Sequence, residues 1–397
     1  MIYCKNKNIN ILFIEFITSF GGVQSVLLRI LPRLAKFAKV YFLDALQTGF
    51  ENLLKGKNIN IINMPVYPRW RALGWNKKYK RIFILIIVGP FYLIYLFRLK
   101  KLINKYRINI LYTNSKKGLI FCVLLSFIKR IKIIYHMHGL KRPSDVSLIY
   151  KFLMKKSSKI IAVSKHTKTY LVSAGIKDEK IEIVYNGVPF DEDKKNIIIM
   201  KDTSCLRGNN KFIILIASSI QYNKGIHVAI EAIKELKKLN YKVELWIAGD
   251  VPYGGDLSYL KMLEKMIDKL GLWEDVHLLG WVNNIYTLIE MSDVVILPSI
   301  EEESFGLILA EAMALKKPVI GTNIGGIPEI IENEECGFIV KPEDPYCLAE
   351  KIGFLIENKS LGDKMGNNGR NRVQRLFNIE DQVNKIYKII ENIAFNK

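Results

Sequence analysis

Two glutamates eight positions apart, Glu303 and Glu311, stand in the stretch from Pro298 to Ala314, which reads Pro-Ser-Ile-Glu-Glu-Glu-Ser-Phe-Gly-Leu-Ile-Leu-Ala-Glu-Ala-Met-Ala. A carboxylate accepts hydrogen bonds through two oxygens, so a pair of carboxylates on one face suits the vicinal hydroxyls of a sugar. The surrounding residues dictate how the pair is presented. Asp293 to Leu297 is a short β-branched run that reads as a buried strand, and Leu307 to Leu315 favours a helix. The segment is therefore strand, tight polar loop and helix, with Glu311 roughly two turns into the helix. The first N–H groups of such a helix lack partners within it and the helix dipole adds positive charge there, an arrangement suited to a diphosphate. Lys224, in Ser218-Ser219-Ile-Gln-Tyr-Asn-Lys-Gly, follows a second apolar run at 212–217 and adds an amine that can act as a point charge on phosphate oxygens. Taken alone, the same glutamates would also serve as solvated residues on a capped helix.

Glu303-Ser304-Phe305-Gly306 through Glu311-Ala312-Met313-Ala314 closely resembles the signature of the family 4 (group 1) glycosyltransferases, which is Glu, seven residues, Glu, with Phe-Gly after the first. The order and spacing of further pieces extend the resemblance over nearly the whole chain. It implies an α/β protein of the GT-B type, two doubly wound Rossmann-like domains facing a deep cleft. It also implies sugar transfer with retention of anomeric configuration, normally without a bound metal. The nucleotide-sugar is then a substrate and there is no cofactor, a UDP-sugar being favoured over a GDP-sugar. Under this resemblance Glu303 binds hydroxyls of the donor sugar, Glu311 binds the ribose, and Lys224 offsets charge on the departing diphosphate. Ser304, Phe305, Gly306 and Leu307 form the amide-rich start of the helix.

Other matches fill in the cleft. Asn10 to Phe16 reads as a first strand, followed by Gly21-Gly22 and a helix with apolar Val26, Leu27, Ile30, Leu31 and Leu34. Glycines at such a turn let backbone approach a ligand, and the resemblance places them at the donor phosphate or the acceptor. Ile108 to Tyr112 ends in Asn114-Ser115, and Lys132 to Tyr135 ends in His136-Met-His138-Gly139. Polar residues past the carboxyl ends of parallel strands sit where open α/β sheets bind ligands, so Asn114 and Ser115 are cleft candidates. The family's His-Gly dipeptide is best matched by His138-Gly139, with His136 in reserve. Gly249 matches the family's Gly-Asp turn, Trp281 and Val282 fall where the main chain meets the nucleobase, and Glu329 follows a Gly-rich turn beside the donor pocket. Ser164 reads as a helix cap. One departure stands out. The family usually carries an arginine five residues before the lysine, and here that position is Ser219, so Lys224 and the helix suffice, another cation substitutes, or activity is weak.

The length of 397 residues exceeds one ordinary core. The boundaries expected are 1–193 for an acceptor-binding domain, 194–370 for a nucleotide-sugar-binding domain, and 371–397 for a terminal helix crossing back to the first. The linker is expected at 191–210. Half of the residues are hydrophobic and 24% are charged, which excludes a disordered chain. The five cysteines form no CxxC pair and no metal-like cluster with the five histidines, as expected for reduced thiols in the cytosol. No signal peptide is visible in the apolar run at 9–17, which Glu15 interrupts.

The net charge of +21 is unevenly spread. Residues 1–190 carry 34 Lys+Arg against 7 Asp+Glu, a balance of +27, and the remainder carry 25 against 31, a balance of −6. A basic half attracts an anionic membrane or nucleic acid. The stretch 68–81 mixes six cations with two tryptophans and a tyrosine, a composition that suits headgroups and nucleobases alike. Residues 82–97 carry no charge, are too short to span a bilayer and contain Gly89-Pro90 as an interruption, so the segment is either a buried helix or one lying in the membrane interface. With the resemblance, these features lead to a peripheral protein on the cytoplasmic face of the plasma membrane. Its expected partners are a nucleotide-sugar, a polyprenyl-diphosphate-linked saccharide or other glycan acceptor, and anionic lipid, with no nucleic acid. The pathway expected is bacterial surface polysaccharide assembly, such as capsule or O-antigen. A glycolipid synthase, a soluble sugar transferase, a nucleotide-sugar epimerase and a non-enzymatic basic binding protein are the alternatives.

Overall fold

The computed structural model describes residues 9–18, 20–66, 78–139, 147–190, 211–252 and 254–395, with the backbone alone for 78–88. The expected stretch 68–77 and the linker 191–210 lie outside the described residues.

The chain forms two parallel sheets. In the first, β1 (Asn10–Glu15), β2 (Lys39–Asp44), β3 (Asn60–Ile61), β4 (Ile110–Thr113), β5 (Lys132–Met137), β6 (Lys159–Ala162) and β7 (Ile181–Ile183) lie in the order β3-β2-β1-β4-β5-β6-β7. In the second, β8 (Phe212–Ala217), β9 (Val243–Ala248), β10 (Val276–Gly280), β11 (Val294–Leu297), β12 (Val319–Thr322) and β13 (Gly337–Val340) lie in the order β10-β9-β8-β11-β12-β13. Helices covering both faces bury the strands from two sides, which explains their near-continuous apolar runs. The strand order reverses between β1 and β4 in one sheet and between β8 and β11 in the other. Open sheets of this kind take ligands at the carboxyl ends of the strands flanking that reversal. The loops there are those of Gly21-Gly22, Asn114, Lys224 and Glu303.

The helices of the first half are α1 (Gly22–Leu34), α2 (Lys78–Lys105), α3 (Lys116–Ile128), α4 (Leu148–Lys156) and α5 (Lys165–Ser173). Those of the second half are α6 (Ile226–Lys238), α7 (Ser258–Leu270), α8 (Ile285–Met291), α9 (Leu307–Ala314), α10 (Ile327–Ile330), α11 (Pro345–Glu357), α12 (Lys359–Leu376) and α13 (Ile379–Phe395). α1 buries the expected stripe of Val26, Leu27, Ile30, Leu31 and Leu34. Against it lie Val383, Ile386, Tyr387 and Ile390 of α13, so the last helix returns to the first sheet. Each fully buried side chain of this size contributes about 1.5–3 kcal/mol. The return is fixed at its start, where Val188 N–H donates to the Phe377 carbonyl at 2.8 Å and Gly187 N–H donates to Gln382 Oε1 at 2.8 Å.

α2 corrects one expectation. The helix runs unbroken through Gly89-Pro90, which costs it one backbone hydrogen bond without ending it. From residue 89 onward its two faces differ: Tyr95, Leu96, Leu99 and Ile103 are buried, while Phe91, Leu93, Ile94 and Phe97 are more than half exposed. Among the described residues no helix is long and apolar enough to cross a membrane.

Candidate active site

Two glycines fix the loop that carries Glu303. Gly325 has φ +59° and sits so close to this loop that a β-carbon on it would come within 2.0 Å of the Glu303 carbonyl oxygen. Gly225 has φ +65°, and a β-carbon there would come within 1.9 Å of the Pro298 carbonyl oxygen. Both positions exclude a side chain on conformational and steric grounds. Hydrogen bonds complete the clamp: Gly326 N–H donates to the Glu303 carbonyl at 2.8 Å, and Ile300 N–H to the Asn223 carbonyl at 3.0 Å. Held between the loops after β8 and β12, Glu303 accepts a charge-assisted hydrogen bond from Lys224 Nζ at 2.6 Å through Oε2. Both side chains are largely buried.

The helix α9 begins at Leu307, not earlier, because Gly306 adopts φ +91° at its N-cap. Glu303 therefore belongs to the loop, and Glu311 is the fifth helical residue, little more than one turn in. The two carboxylates do not share one helix face as the spacing suggested, and they engage different partners. No side chain caps the N-terminus of α9 or that of α1, which starts at Gly22. A β-carbon on Gly22 would meet no atom within 4 Å, so packing does not demand that glycine.

Across the cleft, His138 belongs to a relay from the ends of β1, β4 and β5. Glu15 Oε1 accepts from Asn114 N–H at 2.7 Å and from Asn114 Nδ2 at 2.9 Å. That use of the amide nitrogen leaves Asn114 Oδ1 to accept from His138 Nε2 at 3.0 Å. The neutral imidazole then keeps its proton on Nε2 and its lone pair on Nδ1. Burial pushes the His138 pKa down to about 3. Burial likewise pushes Glu15 up to about 8, with Asp44 adding repulsion, while its bonds from Asn114 pull the other way. His136 is fully buried, 4.0 Å centroid to centroid from His138, with Nδ1 bonded to the Tyr112 hydroxyl at 2.8 Å. It supports the ring of His138 from the core.

Several contacts join the halves here. Ser304 Oγ donates to the His138 carbonyl, and Arg29 of α1 reaches Glu311 through Nη2, which also lies 2.9 Å from the Tyr286 hydroxyl. His166 Nε2 meets Glu302 Oε2 at 2.6 Å. The rings of Phe20 and Trp281 meet edge to face at 5.5 Å.

The remaining expected residues divide by what their atoms already do. Glu329 accepts from the backbone N–H groups of Lys165 and His166 and from the Tyr185 hydroxyl, each at 2.8 Å. Its carboxylate thus sits on the α5 N-terminus, a favourable place for negative charge, beside Ser164, which caps that helix as expected. Ser115 caps α3 by accepting from Gly118 N–H. The Phe305 ring is buried against Phe377 and Tyr185, so only its backbone faces other uses. Leu307 packs against apolar clusters of both halves. Ser219 Oγ donates to Gln221 within its own loop. Gly249 packs on the Ser218 carbonyl with φ +147°, and Trp281 is 48% exposed beside Val282. The sequence reading did not single out Arg29, Tyr286 or Glu15 as site residues. Glu15 carried a usable signal, a carboxylate at the carboxyl end of an apolar strand, whereas Arg29 looks like any surface cation of an amphipathic helix. Among the described residues no cluster of His, Cys, Asp and Glu is arranged to hold a metal ion.

Comparison with known proteins agrees with this geometry. Residues 202–372 match the model of the glycosyl transferases group 1, and residues 20–192 match that of glycosyltransferase family 4. The chain is 29% identical over 277 residues to the capsular polysaccharide biosynthesis glycosyltransferase CapM of Staphylococcus aureus, covering 66% of this chain and 70% of that one. It is 27% identical over 317 residues to the Escherichia coli UDP-Gal:alpha-D-GlcNAc-diphosphoundecaprenol alpha-1,3-galactosyltransferase, covering 76% and 80%. In fold it is similar to Anabaena HepE, solved in complex with UDP-glucose, with a TM-score of 0.79, 23% identity, and coverage of 96% and 99%. Two family models that match successive stretches of the chain, two parallel sheets and the signature residues gathered where the halves meet lead to one conclusion: the chain belongs to the group 1, family 4 glycosyltransferases, nucleotide-sugar-dependent enzymes with the two-domain GT-B fold.

Proposed function

We propose that the protein transfers a sugar, with retention of anomeric configuration, from a UDP-sugar to a saccharide carried on a polyprenyl diphosphate, in the assembly of a bacterial surface polysaccharide such as a capsule or O-antigen. The observation that carries the reading is the Lys224–Glu303 pair, clamped beside the uncapped start of α9 and linked through Ser304 to His138. A lysine has three donors, so the bond to Glu303 leaves two for phosphate oxygens, and Glu303 keeps Oε1 for a sugar hydroxyl. Charge developing on the departing diphosphate is met by the ammonium and by the helix N–H groups, which are oriented before the reaction begins. Glu311 takes the ribose. Neutral His138, with its lone pair on Nδ1, accepts a hydrogen bond from a donor hydroxyl at the reacting sugar.

The first domain, 1–193, holds the acceptor, the second, 194–370, holds the donor, and 371–397 ties them together. A UDP donor and a lipid diphosphate acceptor are the substrates in the name of the E. coli relative; a GDP-sugar is the alternative donor. The membrane side of the proposal rests on a surface of the first domain. α2 packs beside α3 and α3 beside α4, and the three helices expose Phe91, Leu93, Ile94 and Phe97, Leu124 and Phe127, and Leu148, Ile149 and Phe152. No acidic residue occurs between Glu51 and Asp145, and Arg98, Lys101, Arg130, Lys155 and Lys156 are exposed nearby. Lys156 Nζ lies over both Phe127 and Phe152. Apolar side chains ringed by cations suit an anionic bilayer, where rings and aliphatic groups enter the headgroup region. The enzyme then acts as a peripheral protein on the cytoplasmic face.

A donor screen by nucleoside diphosphate release, run with and without polyprenyl-linked acceptor, tests the reading. Acceptor-dependent release of UDP, with the transferred sugar keeping its anomeric configuration by NMR, is the expected result. Transfer to a lipid-free sugar alone would favour a soluble transferase, and conversion of the donor without any acceptor would favour an epimerase.

A further inference from the structure

We infer that Arg29 is the guanidinium this enzyme brings to the donor diphosphate, delivered from the domain opposite the nucleotide and held on Glu311 until the ribose displaces it. The inference rests on the donor-site reading proposed above. Its starting point is Ser219, which stands where the resemblance calls for an arginine and whose hydroxyl is turned to Gln221. Arg29 supplies a candidate replacement. Side chains on a helix lean toward its N-terminus, so an arginine in the second turn of α1 reaches back over the first turn, toward the Gly21-Gly22 end. Its side chain is 12% exposed and that of Glu311 7%, so this is a desolvated pair joining two domains, 282 positions apart in sequence.

The pairing is incomplete in a way that points to a further acceptor. Both hydrogen bonds of the guanidinium, to Glu311 and to Tyr286, leave from Nη2. Nη1 is buried and makes none. A guanidinium is a planar fork matched to two oxygens of a phosphate or carboxylate at once, and here one prong is unmet. Hydroxyls of a ribose arriving at Glu311 compete for the carboxylate that holds Arg29. The displaced cation is then buried without its anion, a state that the diphosphate of the same ligand relieves and a bare nucleoside does not. Arg29 thereby makes ribose binding and diphosphate binding depend on each other.

Calorimetry with UDP and uridine, and with GDP and guanosine, tests this on the full-length protein. Arg29→Met is expected to weaken the diphosphate about tenfold or more while leaving the nucleoside unchanged or tighter, as fits the loss of a charge-assisted hydrogen bond. Ser219→Arg added to Arg29→Met is expected to restore most of the lost affinity. Equal weakening of diphosphate and nucleoside would reduce Arg29 to a structural role, and equal tightening of both would reduce it to a latch; either overturns the inference. Glu311→Gln and Lys224→Met keep the two levels apart. If neither changes diphosphate affinity, the donor site itself is wrongly placed. If both weaken it and Arg29→Met leaves the diphosphate-to-nucleoside ratio unchanged, only the role of Arg29 falls.

Discussion

Lys224 Nζ and Glu303 Oε2 lie 2.6 Å apart, joining the loop after β8 to the loop after β11 with both side chains largely buried. Each charge is the other's main compensation, so removing one leaves the other stranded. Lys224→Met and Glu303→Gln are each expected to cut turnover about 10²–10³-fold, the usual loss for an electrostatic group at a reaction centre. Each single variant is also expected to be less stable than Lys224→Met/Glu303→Gln together. Nucleoside diphosphate release and thermal melting check the two halves of this prediction, and a double variant less stable than either single would refute the second.

Gly22 and Gly325 are expected to separate binding from folding. Gly22→Ala places a methyl in open space at the first position of α1, so stability should hold or rise by up to about 1 kcal/mol while donor affinity falls. Gly325→Ala forces a β-carbon against the Glu303 carbonyl at positive φ and should lower the melting temperature and activity together. Calorimetric titration of UDP alongside melting curves distinguishes them.

Glu15 makes stability depend on pH. Its carboxyl ionises near 4.5 in the unfolded chain and near 8 in the folded one, so the native state holds the extra proton between those values. Its contribution is present in full below pH 4.5 and is lost as pH rises toward about 8, at no more than about 1.4 kcal/mol per pH unit. Glu15→Gln keeps an oxygen for Asn114 and removes the titration, so its stability relative to the natural protein should grow from pH 5 to pH 8. His138 acts with the opposite sign: held neutral down to about 3, it costs stability as pH falls below 6.5. Denaturant midpoints of both proteins across this range check the slope, and parallel curves would exclude a buried, protonated Glu15.

The apolar face on α2, α3 and α4 is expected to bind lipid. Phe91→Ser/Phe97→Ser and Leu148→Ser/Phe152→Ser replace exposed side chains, so folding should change little. Cosedimentation with phosphatidylglycerol vesicles should fall for both variants, and high salt should weaken what remains. Unchanged pelleting would remove this face from the membrane proposal.

Glu329 joins the halves by accepting from Lys165 N–H, His166 N–H and Tyr185. Glu329→Ala strands all three donors and should lower stability by roughly 2–4 kcal/mol; Glu329→Gln keeps one acceptor oxygen but sets its NH2 against one of the two backbone N–H groups, which sit on different oxygens, and should cost less. Thermal melting reads the difference.

The sequence by itself determined the elements and the motif. Apolar periodicity marks β1, α1, β8 and β11, and the glycines and glutamates between 298 and 326 place a loop and a helix start at the end of a strand. These are relations within a few tens of residues, and local chemistry encodes them. Only the tertiary structure decided which partners the side chains take. Arg29 meets Glu311, Asn114 ties Glu15 to His138, and Glu329 covers the start of α5 because sheet order and the return of α13 bring distant segments together. No local pattern separates Arg29 from the other cations of the basic half. Nor does the spacing of eight between the glutamates reveal that Gly306, turning through positive φ, delays the helix and gives the two carboxylates different partners, Lys224 for Glu303 and Arg29 for Glu311.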